Sequence, residues 1–267
     1  MSAKSCDSWP IPKMKTFGDK IRIDKLLLDR GLAPSRERAQ ALVLAGKVLV
    51  NGQKVEKSGA AVDIASEIRL LGEDLRYVSR GGLKLERAIE HWKIDVAGKI
   101  CVDVGASTGG FTDCLLQHGA AKVIAVDTGQ GQIAFQFRQD PRVRLLEKTN
   151  ARYLTREQLG EVVDVIAIDV SFISATLVLP AVVSAALPEA IKERTGRALI
   201  VLVKPQFEAG RERVGKGGIV RDPEAQEQAV QKVRTAVAAL GAPSTDVIDS
   251  PILGAEGNRE FLLYAKF

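Results

Sequence analysis

The chain has little of what metal chemistry requires. Its two histidines and three cysteines are scattered over 267 residues, and no C-x-x-C pair occurs. Cys6, Cys101 and Cys114 lie in unrelated surroundings, so no metal site is expected. Cys101 and Cys114 fall in apolar segments and read as small core residues. Long apolar runs are missing as well, and none approaches the roughly 18–20 residues that cross a bilayer. The opening stretch, MSAKSCDSWPIPKMKTFGDK, has no apolar centre of the kind a secretory signal carries. No internal repeat or low-complexity tract is present. A cytoplasmic protein with no membrane partner and no metal is the expectation.

What is present is ordinary in amount but uneven in placement. The net charge is +5. Residues 1–80 hold 15 Lys+Arg against 10 Asp+Glu, whereas the rest of the chain balances at 23 of each. A basic N-terminal part attached to a neutral remainder is the footprint of a polyanion-binding module, although a merely solvated basic surface has the same charge.

Residues 1–20 are polar, carry Pro10 and Pro12, and read as a flexible tail. In "RIDKLLLDRG", Ile23, Leu26 and Leu27 recur at helical spacing and Gly31 stops the run. Ser35 suits an N-cap for a second helix with Ala39, Leu42 and Val43 on its buried stripe and Gly46 after its end. "KVLVNGQKV" holds Asn51-Gly52 between β-prone runs, a strong hairpin signal, and "EIRLLG" adds a strand. This helix–helix–hairpin–strand unit resembles the S-four RNA-binding domain, named after a small-subunit ribosomal protein. The resemblance places it at residues 21–72, and it implies an RNA-binding face made of Arg22, Lys25, Arg36, Arg38, Lys47 and Lys54, with Arg80 further on.

A linker is expected over 73–80. From 81 to 267 strands and helices alternate: "ICVDV", "KVIAVD", "VRLLE", "VDVIAID", "ALIVLVK", "TDVIDSP" and "REFLLYAKF" are the strands. That alternation predicts an α/β domain with a seven-stranded, mostly parallel sheet covered on both faces and a possible antiparallel pair at its edge. A helix is expected to start at "QIAFQFRQD". "VDVGASTGGF" opens a helix at the carboxyl end of the first strand, where such sheets bind ligands. Its glycines, Gly105, Gly109 and Gly110, fit neither a dinucleotide fingerprint nor a Walker loop. A cofactor without phosphates suits the turn, with Asp103, Ser107, Thr108 and Phe111 around it. Asp127, 22 residues after Gly105, is placed to accept hydrogen bonds from a ribose diol. S-adenosyl-L-methionine (AdoMet) fits this set, with Asn150 and Ala151 candidates for the adenine edge.

Two buried strands end on opposite charges, "VIAIDVSF" on Asp169 and "VLVKPQFE" on Lys204. Either residue alone is more often a solvated strand end. In a parallel sheet the ends of the first, fourth and fifth strands lie together, so the two face one crevice. Lys84, in "SRGGLKLERAI", and Glu260, in "GNREFLLY", are able to reach it. With "VSRGGLKL", "DVGASTGGFTDCLL", "AVDTGQGQ", "TNAR", "IDVSFIS", "VLVKPQFEAGRERVGKGGIVRDP" and "GNREFLL", the chain resembles the TlyA family, often labelled hemolysin A, whose catalytic part is similar to FtsJ-type RNA methyltransferases. The resemblance implies a Rossmann-like AdoMet-dependent methyltransferase that modifies a ribose 2′-hydroxyl of cytidine in ribosomal RNA. It also implies a catalytic tetrad of Lys84, Asp169, Lys204 and Glu260, with Asp169 beside the cofactor too. The chain departs from FtsJ after the catalytic Asp, where Ser171-Phe172-Ile173-Ser174 replaces a Pro-containing stretch. Phe111, Phe172 and Phe207 are candidates for stacking, and "GRERVGKGG" for an RNA-clamping loop. Ribosomal RNA or ribosomal subunits are the expected partners of a monomer. The competing readings are a catalytically silent RNA-binding factor, a small-molecule methyltransferase and a membrane-active hemolysin; the last lacks the long apolar or amphipathic segment it would need.

Overall fold

The computed structural model describes residues 19–33, 35–71, 76–254 and 256–267. The chain divides into two compact units, Met1–Asp74 and Leu75–Phe267. Cys6 and nearly all of the expected tail lie outside the described residues.

In the first unit the hydrophobic spacing is realised as α1 (Ile23–Asp29) and α2 (Arg36–Leu44). Ser35 caps α2, its side chain accepting from Arg38 N at 3.2 Å. Strands β2 (Val48–Val50) and β3 (Gln53–Lys54) form the hairpin. Asn51 and Gly52 at its tip both have positive φ, +50° and +78°, as a tight two-residue turn requires. β5 (Ile68–Leu70) pairs with β2 on the other side. Two strands escaped the sequence reading: β1 (Lys20–Arg22) pairs antiparallel with β4 (Ala61–Asp63). Lys20 therefore belongs to the folded unit rather than to the tail. Ile23, Leu27, Ala39, Val43 and Val48 pack as the core, each fully buried.

The second unit opens with α3 (Gly81–Trp92) and continues through β6 (Ile100–Val104), α4 (Gly110–Gln117), β7 (Lys122–Val126), α5 (Phe135–Gln139), β8 (Val143–Leu146), α6 (Arg156–Leu159) and β9 (Val165–Ile168). Then come α7 (Ala175–Ala186), β10 (Ala198–Val203), α8 (Pro205–Glu208), α9 (Pro223–Ala239), β11 (Ser244–Asp249) and β12 (Phe261–Lys266). The strand order is β11-β12-β10-β9-β6-β7-β8. Pairs from β10 to β8 are parallel, while β12 runs antiparallel to both β10 and β11. Alternate residues of the central strands feed two cores. Val102, Ile124, Ile166 and Ile168 meet Val178, Leu179 and Val182 of α7; Cys101, Val123 and Ala167 meet Leu85, Ala88 and Leu115 of α3 and α4. Cys101 and Cys114 are thus core residues, and burial pushes both thiols up to about 12.

Two boundaries differ from the sequence reading. Residues 76–80 are not a free connector, because Tyr77 is 1% exposed and Val78 N donates to Asp113 Oδ2 at 2.8 Å. The helix expected from Gln132 starts only at Phe135. The preceding glycines are held in a loop, Gly129 N by Asp127 Oδ1 at 2.6 Å and Gly131 N by Glu147 Oε1 at 2.8 Å.

Candidate active site

β6, β9 and β10 lie side by side, so the turns leaving them share one end of the sheet. The turn after β6 is shaped by glycine. Gly105 has φ +89°, and a Cβ there would stand 2.3 Å from the Asp169 carbonyl oxygen. At Gly110 a Cβ would meet Ser79 Oγ at 2.2 Å. These approaches bring the glycine turn against the residues after β9 and before α3.

A cleft of about 470 Å³ opens at this place. Lys84, Asp169, Lys204 and Glu260 all line it, together with Gly105, Ser107, Thr108, Gly110 and Phe111. The four charged side chains form two pairs. Lys84 Nζ donates to Glu260 Oε2 at 2.6 Å, with Lys84 8% and Glu260 3% exposed. Lys204 Nζ stands 2.6 Å from Asp169 Oδ1, but the hydrogen bond it donates goes to Ser171 Oγ at 2.8 Å. That Asp169 oxygen has charge contact without an aligned donor among the described residues. Buried charges need partners, and each ammonium here has its own carboxylate.

Asp103 lies beneath the turn, fully buried. Its Oδ2 accepts from Thr112 N at 2.9 Å and Thr112 Oγ1 at 2.7 Å, bracing the first turn of α4, while Oδ1 has no partner among the described residues. Burial pushes the carboxyl up to about 7, the Thr112 hydrogen bonds oppose this, and the Asp169 and Asp127 charges add to it. Asp127 accepts from Ser107 N at 2.8 Å and from Gly129 N at 2.6 Å. It borders a separate narrow pocket of about 10 Å³ that shares Ala106 and Ser107 with the main cleft.

Other expected residues are placed elsewhere. Asn150 Oδ1 caps a 3-10 turn through Arg152 N at 3.0 Å, and Ala151 is packed in the core; neither lines the cleft or the Asp127 pocket. Gly109 does not line the cleft, because a Cβ there would face the Phe137 ring at 2.8 Å. Arg80 belongs to the second unit, where it lines the cleft, whereas the other expected RNA-binding residues belong to the first. In the first unit Arg22 and Arg36 converge on one carboxylate, Asp24. The Lys54 side chain crosses Gly46, beside Lys47, and Lys25 is exposed.

The sequence reading missed Ser79, Gln206 and Glu256, which line the cleft, and the Ser171 contact to Lys204. It also missed Glu208, 6% exposed, which accepts from Ser174 Oγ at 2.5 Å and Ala175 N at 2.6 Å. Glu208 so ties the turn after Lys204 to the loop after Asp169. A carboxylate closing the stretch "KPQFE" was the available signal. Phe172 stands at the rim, 92% exposed, with φ +65°, an unusual backbone state for a bulky residue. Its ring centroid is 5.5 Å from that of Phe207.

Comparison with known proteins gives the family of each unit. The FtsJ-like methyltransferase family matches residues 77–267, and the S4 domain family matches residues 21–68. The chain is 45% identical to the 16S/23S rRNA (cytidine-2′-O)-methyltransferase TlyA of Mycobacterium tuberculosis, over 92% of this chain and 90% of that one. It is 41% identical to Hemolysin A of Brachyspira hyodysenteriae, over 91% of this chain and 99% of that one. A solved structure of a hemolysin candidate from Streptococcus thermophilus superposes with a TM-score of 0.68 at 43% identity, covering 92% of this chain and 88% of that one.

Proposed function

The chain belongs to the TlyA family of FtsJ-like methyltransferases, and from that premise we propose that it methylates the ribose 2′-hydroxyl of cytidine in ribosomal RNA, with AdoMet as donor. The observation that carries the reading is the pair of lysine–carboxylate contacts, Lys84–Glu260 and Lys204–Asp169, on one cleft beside the glycine turn.

The residues present suit the cofactor. Asp103, fully buried beneath the turn and lining neither pocket, acts on a cationic group there only through its charge. Gly105 and Gly110 keep the turn packed closely against Asp169 and Ser79, and Ser107, Thr108 and Phe111 line the cleft beside it. Asp127, with lone pairs remaining on both oxygens, is the acceptor for a diol. When bound, AdoMet supplies an electrophilic methyl group on a sulfonium.

A ribose hydroxyl is a weak nucleophile at neutral pH, so the chain has to align it and take its proton. Lys204 Nζ is the proton acceptor in this proposal, acting in its free-amine form at the moment of transfer. Asp169 and Ser171 hold that nitrogen in place. Lys84, fixed by Glu260, donates to the ribose oxygens and orients them. Phe172 offers an exposed ring to the nucleobase. The S4 unit brings the basic surface that holds the RNA. All four tetrad residues come from one chain, which supports action as a monomer, and ribosomal RNA as substrate supports the cytoplasm as its place.

The hemolysin label of some relatives suggests a membrane-active protein. No helix among the described residues is long and apolar enough to cross a membrane. A silent RNA-binding factor would have no use for two buried ion pairs at a glycine turn. The test is transfer of labelled methyl from AdoMet to ribosomal subunits and free rRNA. Label on a ribose 2′-oxygen with wild type, lost by roughly 10²-fold or more in Lys204→Ala, is the expected result. Near-normal transfer by Lys204→Ala sinks the base assignment, and no label on any RNA sinks the activity.

A further inference from the structure

Among the described residues of the N-terminal unit, Asp24, in the first turn of α1, is a fully buried carboxylate. Its Oδ1 accepts from Arg22 Nε at 3.0 Å and Lys25 N at 2.9 Å. Its Oδ2 accepts from Arg22 Nη2 at 2.8 Å, Arg36 Nε at 3.1 Å and Gln40 Nε2 at 2.9 Å. The Arg22 side chain is 50% exposed and that of Arg36 51%. Arg22 also lies against the turn at Gly59, 3.4 Å from where a Cβ would stand.

This is an unusual use of charge for a surface that has to attract an anion. A carboxylate among basic residues lowers the local positive potential. Its five hydrogen bonds instead hold two long side chains, from the starts of α1 and α2, in single orientations. Arg22 spends its Nε–Nη2 edge on Asp24, and Arg36 only its Nε. Arg22 Nη1 and both terminal nitrogens of Arg36 have no protein partner among the described residues. A phosphate takes paired N–H donors in fixed geometry, the arrangement in which arginine exceeds lysine.

We propose that Asp24 is a positioning residue for RNA binding: it holds Arg22 and Arg36 as a preformed two-arginine fork for backbone phosphates. The inference rests on the RNA-methyltransferase reading above. The Arg22 contact holds the Asp24 carboxyl well below the usual carboxylate range, so the anchor is charged at neutral pH. Ordering the two side chains before binding spares an entropic cost of about 2- to 10-fold in affinity for each.

Simple electrostatics and preorganisation predict opposite signs, which makes the test decisive. The full-length chain would be titrated with protein-free 16S and 23S rRNA at fixed salt. If only net charge matters, Asp24→Asn removes a negative charge and binds RNA more tightly. If Asp24 positions the fork, the same variant binds roughly 5-fold or more weakly. Arg22→Lys and Arg36→Lys keep the charge and leave the other Asp24 contacts in place, so they decide the matter even if Asp24→Asn fails to fold. Each is expected to weaken binding, and Arg22→Lys should cost much less in the Asp24→Asn background than alone. Wild-type affinity in both lysine variants overturns the proposal, as does tighter binding by folded Asp24→Asn. Failure of wild type to bind any rRNA overturns the functional reading together with it, a result distinct from wild-type binding with unaffected variants.

Discussion

Asp103 makes the ligand-free protein less stable as pH rises towards neutrality. Full burial moves its carboxyl from the ordinary 3.8 up to about 7. The protonated form is favoured in the folded state, which therefore holds more protons than the unfolded chain between these two values. The contribution of this group falls with pH across that window and is lost in full only above pH 7. At about 1.4 kcal/mol per pH unit, the upper bound is about 4 kcal/mol. For a domain of this size that corresponds to a fall in Tm on the order of 10 °C between pH 4 and 7. Carboxylates with lowered pKa, such as Asp24 and Asp140, lose their contribution only on the acid side of this window. Asp103→Asn keeps the shape and removes the titration. Asparagine leaves a polar atom without a partner where Oδ1 stands, a cost of about 1–3 kcal/mol that is the same at every pH. The slope, not the offset, is therefore the signal. Thermal unfolding from pH 4.5 to 8 should show Tm falling in wild type and a flatter profile in Asp103→Asn. Parallel profiles would refute the reasoning. A cation bound at the turn favours the ionised carboxyl, so AdoMet binding near pH 7 should release a proton in wild type and not in the variant. Calorimetry in buffers of different ionisation heat measures this.

Gly105→Ala places a methyl group 2.3 Å from the Asp169 carbonyl at φ +89°, so a stability loss of at least ~2 kcal/mol is expected in denaturant melts. Phe172→Ala touches an exposed side chain, and its stability should change by less than about 0.5 kcal/mol. Methyl transfer to rRNA should nevertheless fall roughly 10-fold through the lost stacking, and unchanged transfer would remove Phe172 from the site. Glu208→Ala leaves Ser174 Oγ and Ala175 N without their acceptor and should cost about 2–3 kcal/mol, read as a lowered Tm.

How far the sequence carried the fold depended on the kind of signal. The central strands were legible because both faces are buried, as in Val165–Ile168, which leaves nearly continuous apolar runs. β1 and β4 were not, since three-residue strands in a polar stretch carry no period. The late start of α5 was illegible for a different reason. Asp127 and Glu147 capture the backbone of Gly129 and Gly131, and those contacts appear only after β7 and β8 are paired. The candidate site divides in the same way. The lone charges closing β9 and β10 pointed to Asp169 and Lys204, but the positions of Asn150 and Ala151 after β8 did not bring them to the cleft.

By itself the sequence determined the α/β class, the basic N-terminal module, the glycine turn and the charges at the strand ends. Each of these follows from local chemistry: hydrophobic period, the backbone freedom of glycine and uneven charge. The tertiary structure alone decided which charges pair. Lys84 and Glu260 are 176 positions apart, and only the insertion of β12 beside β10 brings them to 2.6 Å. It alone shows that Lys204 donates to Ser171, that Glu208 braces the loop beyond Asp169, and that Asp24 gathers two arginines. A buried charge must find its partner somewhere in the fold, and where that partner sits is a property of the packed chain.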